Sequence, residues 1–199
     1  MPARRPAFRE VEIKLPVSDI TALLRSLRHL RAVSRGRVFE RNALYDTPLS
    51  DFRRRGRLLR LRIETPAPFW GARGGSRRAL LTAKAPVPSS ATSRYKQRLE
   101  REMAVVPRRR WTEILRSLGL RPTFRYEKYR TAFRLPGLNL DLDETPVGNF
   151  LELEGAPSAI DRVARTLGFS PRDYIRGTYW DVFVAYCRRL GRSPRHMLF

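Results

Sequence analysis

Charged and apolar residues alternate in short segments along this sequence, and the alternation constrains the fold more than any other feature. In the first segment, REVEIKLP (9–16), two glutamates and a lysine alternate with valine, isoleucine and leucine. A period of two residues is that of a β-strand, whose successive side chains point to opposite faces. The segment therefore predicts a strand with one apolar face and one charged face.

Similar segments recur, so the sequence predicts about eight strands separated by helices. The further strands are predicted around 38–46, 58–64, 80–84, 95–103, 126–135, 138–144 and 150–154. Apolar residues at helical spacing predict helices within 18–33, 107–119 and 157–168, and an aromatic-rich segment at 174–190 predicts a closing helix. Ser18 is the predicted N-cap of the first helix.

The charged faces of these strands pose a choice between solvent and a charged interior. Antiparallel sheets commonly expose one face to water, but these faces carry mostly full charges, grouped into paired acids and paired bases. If the sheet closes with its apolar faces outward, the charges line the interior. Buried ions without partners cost several kcal/mol each, so such an interior has to be wet and to hold a charged ligand.

Both kinds of charge match a polyphosphate bound with a divalent metal. Carboxylates two residues apart project side by side and can share a hard cation such as Mg²⁺. Arginine and lysine pairs match phosphate oxygens. Only four of the 41 basic residues are lysines, and all four lie on charged strand faces: Lys14, Lys84, Lys96 and Lys128.

The net charge of +22 leaves two interpretations open. Many arginines can simply coat a solvated surface, or the basic surface can bind nucleic acid by releasing counterions from phosphates. A single cysteine, Cys187, excludes an internal disulfide and favours a reducing compartment. With no signal peptide and no stretch near the ~20 apolar residues of a membrane helix, we expect a soluble, cytoplasmic protein that does not bind a membrane.

Five blocks of the sequence resemble the triphosphate tunnel metalloenzymes, or CYTH superfamily, which includes class IV adenylyl cyclases and thiamine triphosphatases. EVEIK is similar to the Glu-x-Glu-x-Lys signature on the first strand of that superfamily. ALYDTPLSDFRRRGRLLRLR, LLTAK and KQRLERE are similar to its next three blocks, and EKYR followed by LDLDETPVGNFLELEG to its closing signature. The blocks run in the order of the superfamily from about residue 9 to 155.

The resemblance implies an α+β fold in which an eight-stranded antiparallel β-barrel forms a tunnel with helices packed outside. It implies one domain over residues 1–199, with a core at about 9–190, and Mg²⁺ or Mn²⁺ as cofactor. The implied catalytic residues are Glu10, Glu12, Lys14 and Glu154. The implied substrate-binding residues are Lys14, Arg60, Arg62, Lys84, Arg98, Lys128 and Arg130, and the implied metal ligands are Glu10, Glu12, Glu102, Asp143, Glu152 and Glu154.

The leading hypothesis for function is metal-dependent hydrolysis of a triphosphate-containing compound, which can be inorganic triphosphate, thiamine triphosphate or a nucleoside triphosphate. A class IV adenylyl cyclase, which converts ATP to cyclic AMP and pyrophosphate, is the first alternative. That reaction needs an adenine pocket, for which Phe69, Trp70 and Trp180 are the aromatic candidates. A non-catalytic protein that binds polyphosphate or nucleic acid is the second alternative. The expected partner is a small triphosphate compound, and the chain is expected to be a monomer or a homodimer.

Overall fold

Eight antiparallel strands form a closed barrel in the computed structural model, which describes residues 8–67, 76–87, 93–106 and 108–199. Around the barrel the strand order is β1-β5-β4-β3-β2-β6-β7-β8, and β8 pairs with β1. The strands are β1 (Phe8–Val17), β2 (Val33–Asp46), β3 (Leu58–Pro66), β4 (Arg78–Pro86), β5 (Lys96–Ala104), β6 (Arg121–Leu135), β7 (Leu138–Thr145) and β8 (Gly148–Gly155). The predicted α+β barrel with eight strands is confirmed.

Within the described ranges, five α-helices accompany the barrel. They are α1 (Ile20–His29), α2 (Asp51–Arg54), α3 (Arg108–Ser117), α4 (Pro157–Thr166) and α5 (Tyr179–Arg189), and a short 3₁₀ turn (Pro171–Asp173) precedes α5. Sequential strands are neighbours from β2 to β5 and from β6 to β8, whereas β1 pairs with β5 and β2 pairs with β6.

The main hydrophobic core lies between the outer face of the barrel and two helices. Apolar side chains of β1, β7 and β8 such as Ile13, Leu140 and Leu153 are almost completely buried there. They pack against Leu27 of α1 and Ile160 of α4. Because Ile13 alternates with the charged residues of β1, burial of the apolar face under the helices turns Glu12 and Lys14 toward the lumen.

A second core cluster joins α5 to aromatic side chains of the barrel. Tyr126 of β6 and Phe150 of β8 pack with Tyr179 and Phe183 of α5. Phe150 shares one side of β8 with Glu152 and Glu154, because all three lie at alternating positions. This aromatic cluster therefore borders the charged lumen, and α5 holds Tyr179 against it.

The structure differs from the sequence predictions at three local points. The side chain of Asp19, not Ser18, caps α1 by accepting a hydrogen bond from the amide of Ala22 at 2.9 Å. The closing helix begins at Tyr179, because Thr178 and Asp181 form a capping box at that position. The one-turn helix α2 was not predicted; the amides of Phe52 and Arg53 in its first turn donate to the carboxylate of Asp46 at the end of β2.

Replacing Ile160 by alanine tests whether α4 covers the barrel as described. Its side chain is fully buried, so Ile160→Ala should reduce the free energy of unfolding by about 2–5 kcal/mol. Chemical denaturation measures this change. Leu118→Ala, at a position that is 68% exposed, is the control and should change the free energy by less than about 0.5 kcal/mol. Equal effects of the two variants would contradict the packing of α4.

Candidate active site

The barrel encloses a charged cavity of about 610 Å³. All the predicted site residues except Asp143 line it, at alternating positions of six strands. They are Glu10, Glu12, Lys14, Arg60, Arg62, Lys84, Arg98, Glu102, Lys128, Arg130, Glu152 and Glu154. Most of these ions are buried, and burial of an ion is tolerated only with compensating partners. The pairing of these charges therefore determines what the cavity can bind.

Strands β1 and β8 bring four of the predicted metal ligands together. Glu12 lies directly opposite Glu154 in the antiparallel register, and Lys14 lies opposite Glu152. Glu10 lies two residues before Glu12 on β1, and its side chain lines the same cavity. The register thus places the carboxylates of Glu12 and Glu154 beside each other and puts Lys14 next to Glu152.

Two of these carboxyl groups are held in conditions that disfavour their charge. Burial, together with the neighbouring Glu12, raises the pKa of Glu10 to about 8 and that of Glu154 to about 7. Lys84 partly compensates Glu10 by donating to both of its carboxylate oxygens, at 2.6 and 2.7 Å. In the described part of the chain, Glu154 forms no ion pair, and its carboxylate accepts a hydrogen bond from the side-chain amide of Asn139 at 3.5 Å.

The other carboxylates of this group have close basic partners. Lys96 donates to Glu12, and both Lys14, at 2.7 Å, and Arg130 donate to Glu152. Burial opposes ionisation of Glu12 and Glu152, but these cations lower the pKa of both carboxyl groups. Glu12 and Glu152 are therefore ionised and paired.

Asp143 lies behind the cavity wall, where it organises the basic side chains. It is completely buried, and it accepts hydrogen bonds from Lys128 at 2.6 Å, from Arg130 at 2.6 and 2.7 Å, and from the Tyr179 hydroxyl. The ammonium groups of Lys14 and Lys128 lie 4.5 and 4.6 Å from the centre of the Tyr179 ring. With its oxygens engaged in this way, Asp143 positions cations in this conformation, and its predicted role as a metal ligand stays a prediction.

Glu40 on β2 is a buried carboxylate that the sequence analysis did not select. It is completely buried, and its oxygens lie 3.2 Å from Arg62 and 3.7 Å from both Lys128 and Arg130. Burial opposes its ionisation, but Arg62, Lys128 and Arg130 lower its pKa. Glu40 and Asn42 do alternate on β2, so the signal existed, but it lay outside the blocks that carried the resemblance.

The remaining predicted residues complete the basic wall. Arg60 donates to the Thr82 hydroxyl at 3.2 Å and to the Tyr126 hydroxyl at 3.4 Å. Glu102 lies 3.6 Å from Arg60 and accepts from Thr82 at 2.7 Å. Burial opposes ionisation of Tyr126, but Arg60, Lys128 and Arg62 together outweigh burial and lower the pKa of that phenol. Tyr126 and Tyr179 are further wall residues that sequence reasoning missed, because aromatic residues are common in any core.

The carboxylates fit a hard divalent cation by donor chemistry, but not by their present arrangement. Within the described ranges, no group of three acidic or other metal-ligating side chains is arranged to hold an ion. The reason is that the carboxylates of Glu10, Glu12 and Glu152 each form an ion pair with a lysine. Glu154, beside Glu12 and without an ion pair among these residues, is the position where an added cation would relieve most repulsion.

Of the three aromatic candidates for base stacking, only one falls within the described ranges. Phe69 and Trp70 lie outside the described residues. Trp180 lies at the start of α5, next to Thr178 and Tyr179 of the cavity wall. It is therefore the candidate that the structure places near the site.

Comparisons with known proteins identify a matching family and similar folds. The CYTH domain family matches residues 9–179. The fold is similar to that of PH1819 from Pyrococcus horikoshii OT3, at 24% identity and a TM-score of 0.72 over 88% of this chain and 98% of that chain. It is also similar to a candidate adenylate cyclase from Vibrio parahaemolyticus, at 19% identity and a TM-score of 0.72 over 89% and 98% of the two chains.

A third similar structure carries a described activity. HpAC1 from Hippeastrum, a candidate adenylyl cyclase described with a dominant triphosphatase activity, shares 17% identity at a TM-score of 0.59 over 93% of this chain and 97% of that chain. No curated protein matches the sequence. Among the helices in the described ranges, none has the length and apolar content that crossing a membrane requires.

The raised pKa of Glu154 leads to a test by stability in metal-free solution. The ordinary pKa of a glutamate side chain is 4.5, and that of Glu154 in the folded protein is about 7. Between these values the folded protein retains a proton on Glu154 that the unfolded chain loses. Stability therefore falls as the pH rises through this range. Glu154→Gln mimics the protonated form, so its melting temperature should match wild type near pH 4.5 and exceed it by a few degrees at pH 8.

Glu100→Gln is the matched control for this measurement, because Lys84 lowers the pKa of Glu100 although burial opposes it. Its ionised form stabilises the fold above its unfolded pKa, so this variant should be less stable than wild type at pH 8. Thermal unfolding with a chelator, from pH 4.5 to 8, measures both. A Glu154→Gln difference that does not change with pH would contradict the assignment.

Glu40→Gln should strongly destabilise the barrel. Neutralising the buried carboxylate leaves Arg62, Lys128 and Arg130 without one of their counter-charges, and breaking a buried ion pair costs about 3–5 kcal/mol. The control is Glu144→Gln on the outer side of β7, whose partly exposed pair with Arg37 should contribute no more than about 1 kcal/mol. Urea denaturation of both variants measures the difference, and a similar loss in each would contradict a special role for Glu40.

Proposed function

This chain belongs to the CYTH domain family, and on that basis we propose that it hydrolyses a triphosphate-containing compound inside the barrel, with Mg²⁺ or Mn²⁺ as cofactor. One observation carries the proposal, namely that paired carboxylates on β1 and β8 face basic side chains of β3, β4 and β6 across one cavity. A polyphosphate alone would be repelled by the acids, and a metal alone by the bases. The two together match both walls.

The residues of the acidic wall would hold the metal. Glu154 and Glu12 are the first ligands in this proposal, with Glu10 and Glu152 beside them. When bound, a divalent cation neutralises phosphate oxygens and lowers the pKa of an attacking water. Divalent-metal dependence and the choice between Mg²⁺ and Mn²⁺ are both part of the proposal.

Binding of the substrate requires the ion pairs of the cavity to exchange partners. Lys84 is now shared between Glu10 and Glu100, each at 2.6 Å, and Arg130 is shared between Asp143 and Glu152. A bound triphosphate would offer phosphate oxygens to Lys84 and Arg130 as alternative partners. Glu10 and Glu152 would then be free to bind the metal. Substrate and metal would therefore bind with positive coupling.

The basic wall would stabilise charge on the phosphates during the reaction. Lys14 and Lys128 are each about 1–2% exposed and are held over the Tyr179 ring. Side chains held in place before the reaction need little reorganisation as charge develops, which is the main source of electrostatic catalysis. Arg60 and Arg62 extend the same wall along β3.

Adenylyl cyclase activity is the second candidate, and one observation favours it. Trp180 directly follows Thr178 and Tyr179 of the cavity wall. An aromatic ring is therefore available close to the cavity that would hold the phosphates. The Vibrio protein is named as a candidate adenylate cyclase, and the Hippeastrum protein as a candidate adenylyl cyclase with a dominant triphosphatase activity. The products distinguish the two reactions, because hydrolysis releases phosphate whereas cyclisation yields cyclic AMP and pyrophosphate.

The decisive experiment offers inorganic triphosphate and ATP separately to the purified protein with Mg²⁺ or Mn²⁺, and identifies the products. We expect phosphate release from at least one substrate and its loss, by a hundredfold or more, in Glu12→Ala and Glu154→Ala. Circular dichroism verifies that each variant is folded, and Glu144→Gln serves as a matched control outside the cavity. Undiminished turnover in both folded alanine variants would overturn the proposed site. Absence of turnover with either metal would favour a binding protein.

A further inference from the structure

The outer side of the β2–β6 pair carries aromatic and basic side chains that belong to none of the hydrophobic cores of the described residues. Because Glu40 of β2 points to the charged interior, its neighbours in the strand point outward. The antiparallel register places Phe39 beside Tyr129 and Arg41 beside Glu127 on this side. We call these residues and their neighbours the outer face, which consists of Arg37, Phe39, Arg41, Arg125, Glu127, Tyr129 and Phe199.

Three aromatic rings form a cluster on the outer face. The ring centres of Phe39 and Tyr129 lie 4.8 Å apart, and the centre of the Phe199 ring lies 6.3 and 5.5 Å from them. The segment that carries Phe199 is held on β6, because the amide of Glu127 donates to the carbonyl of Met197 at 2.9 Å. Phe199 nevertheless remains 62% exposed. A ring that is fixed by its neighbours and still exposed can bind a ligand at a small cost in conformational entropy.

Guanidinium groups lie against two of these rings. The guanidinium carbon of Arg37 lies 4.0 Å from the centre of the Tyr129 ring, and that of Arg41 lies 5.3 Å from the centre of the Phe39 ring. The Arg41 side chain is 58% exposed, and it donates to Glu127 through Nε at 3.3 Å. An exposed guanidinium plane is a stacking surface of the same kind as an aromatic ring. The outer face therefore offers two such surfaces, Phe199 and Arg41, side by side.

The charge of the outer face and its surroundings is positive. The two carboxylates beside the rings, Glu127 and Glu144, are each paired with one of the stacked arginines. Arg125 of the outer face is exposed, and so are Arg35 and Arg195, which flank it along the chain. Within the described ranges, these three arginines form no ion pair. Their charges are therefore available to an anionic partner.

We infer that the outer face binds single-stranded nucleic acid, with bases stacked on Phe199 and Arg41 and phosphates on the exposed arginines. Two observations favour this partner over a protein. Stacking planes and unpaired cations alternate on one side of a sheet, which matches the alternation of bases and phosphates in a single strand. The net charge of +22 also attracts a polyanion. Because every base has a π-face, binding is expected to be largely independent of sequence. The outer face lies outside the barrel, so this inference does not depend on the proposed function.

Fluorescence anisotropy of the full chain with a labelled oligouridylate of about twelve nucleotides tests the inference. The oligonucleotide carries a 5′-hydroxyl, so it presents no triphosphate to the lumen. Phe199→Ala should weaken binding about tenfold, as expected for loss of one stacking ring, and Phe199→Trp should retain it. Arg41→Ala and Arg125→Ala should each weaken binding and reduce the slope of log affinity against log salt by about 0.7.

Arg165→Ala is the matched control for charge, at an exposed position of α4. It removes one positive charge away from the outer face, where salt screens its effect, so the affinity should change by less than about twofold. Leu118→Ala, at a position that is 68% exposed, is the control for loss of an exposed apolar side chain and should leave binding unchanged. Thermal unfolding verifies that each variant is folded.

A duplex of the same length separates stacking from attraction by charge. Its paired bases offer no free π-face, so it should bind more weakly than the single strand although its charge density is higher. Oligothymidylate distinguishes DNA from RNA as the bound strand, and a loss of affinity in Phe199→Ala with either strand supports the inference. Equal or tighter binding of the duplex, or equal losses in Phe199→Ala and Arg165→Ala, would overturn it. Absence of binding by every oligonucleotide would also overturn it and would favour a protein partner for the outer face.

Discussion

The rest of the structure depends on the mutual compensation of charges inside a closed barrel. An isolated ion in such an interior would be expelled or neutralised, so acids and bases have to alternate in space as well as in sequence. Lys14 against Glu152, and Lys128 and Arg130 against Asp143, meet this condition. The compensation is incomplete at Glu10 and Glu154, whose pKa values are raised by burial and by Glu12. The charge compensation that permits the barrel to fold therefore leaves two carboxyl groups of the wall only partly compensated.

Under the proposed function these charges have two tasks, since they stabilise the interior before a ligand binds and would contact the ligand afterwards. Glu40 and Asp143, both completely buried, belong to the first task, because they hold arginines and lysines from behind. Lys84 and Lys96, on the opposite strands, have partners that a phosphate could replace. The division follows from depth, as a deeply buried pair is costly to open whereas a pair at the cavity surface can exchange with water or ligand.

Helix α5 links the charged lumen with the aromatic region beside it. The start of α5 supplies Thr178 and Tyr179 to the lumen, and Trp180 to a smaller cavity between α2 and α5. The capping box at Thr178 and Asp181 fixes this first turn, so the two regions keep a constant relation to each other.

The sequence by itself determined the strands, their charged faces and most of the cavity wall, because an alternation of two residues survives in any antiparallel barrel. It also predicted, through the EVEIK and FLELE segments, which carboxylates would share a face. Only the tertiary structure decided which charges pair, for the register that places Glu12 beside Glu154 is a long-range property. It likewise placed Asp143 behind the wall, made Asp19 the cap of α1, and brought Glu40, Tyr179 and Trp180 to the cavities. For Asp143, Glu40 and Tyr179 the physical reason is that their partners in the folded protein are distant in the chain.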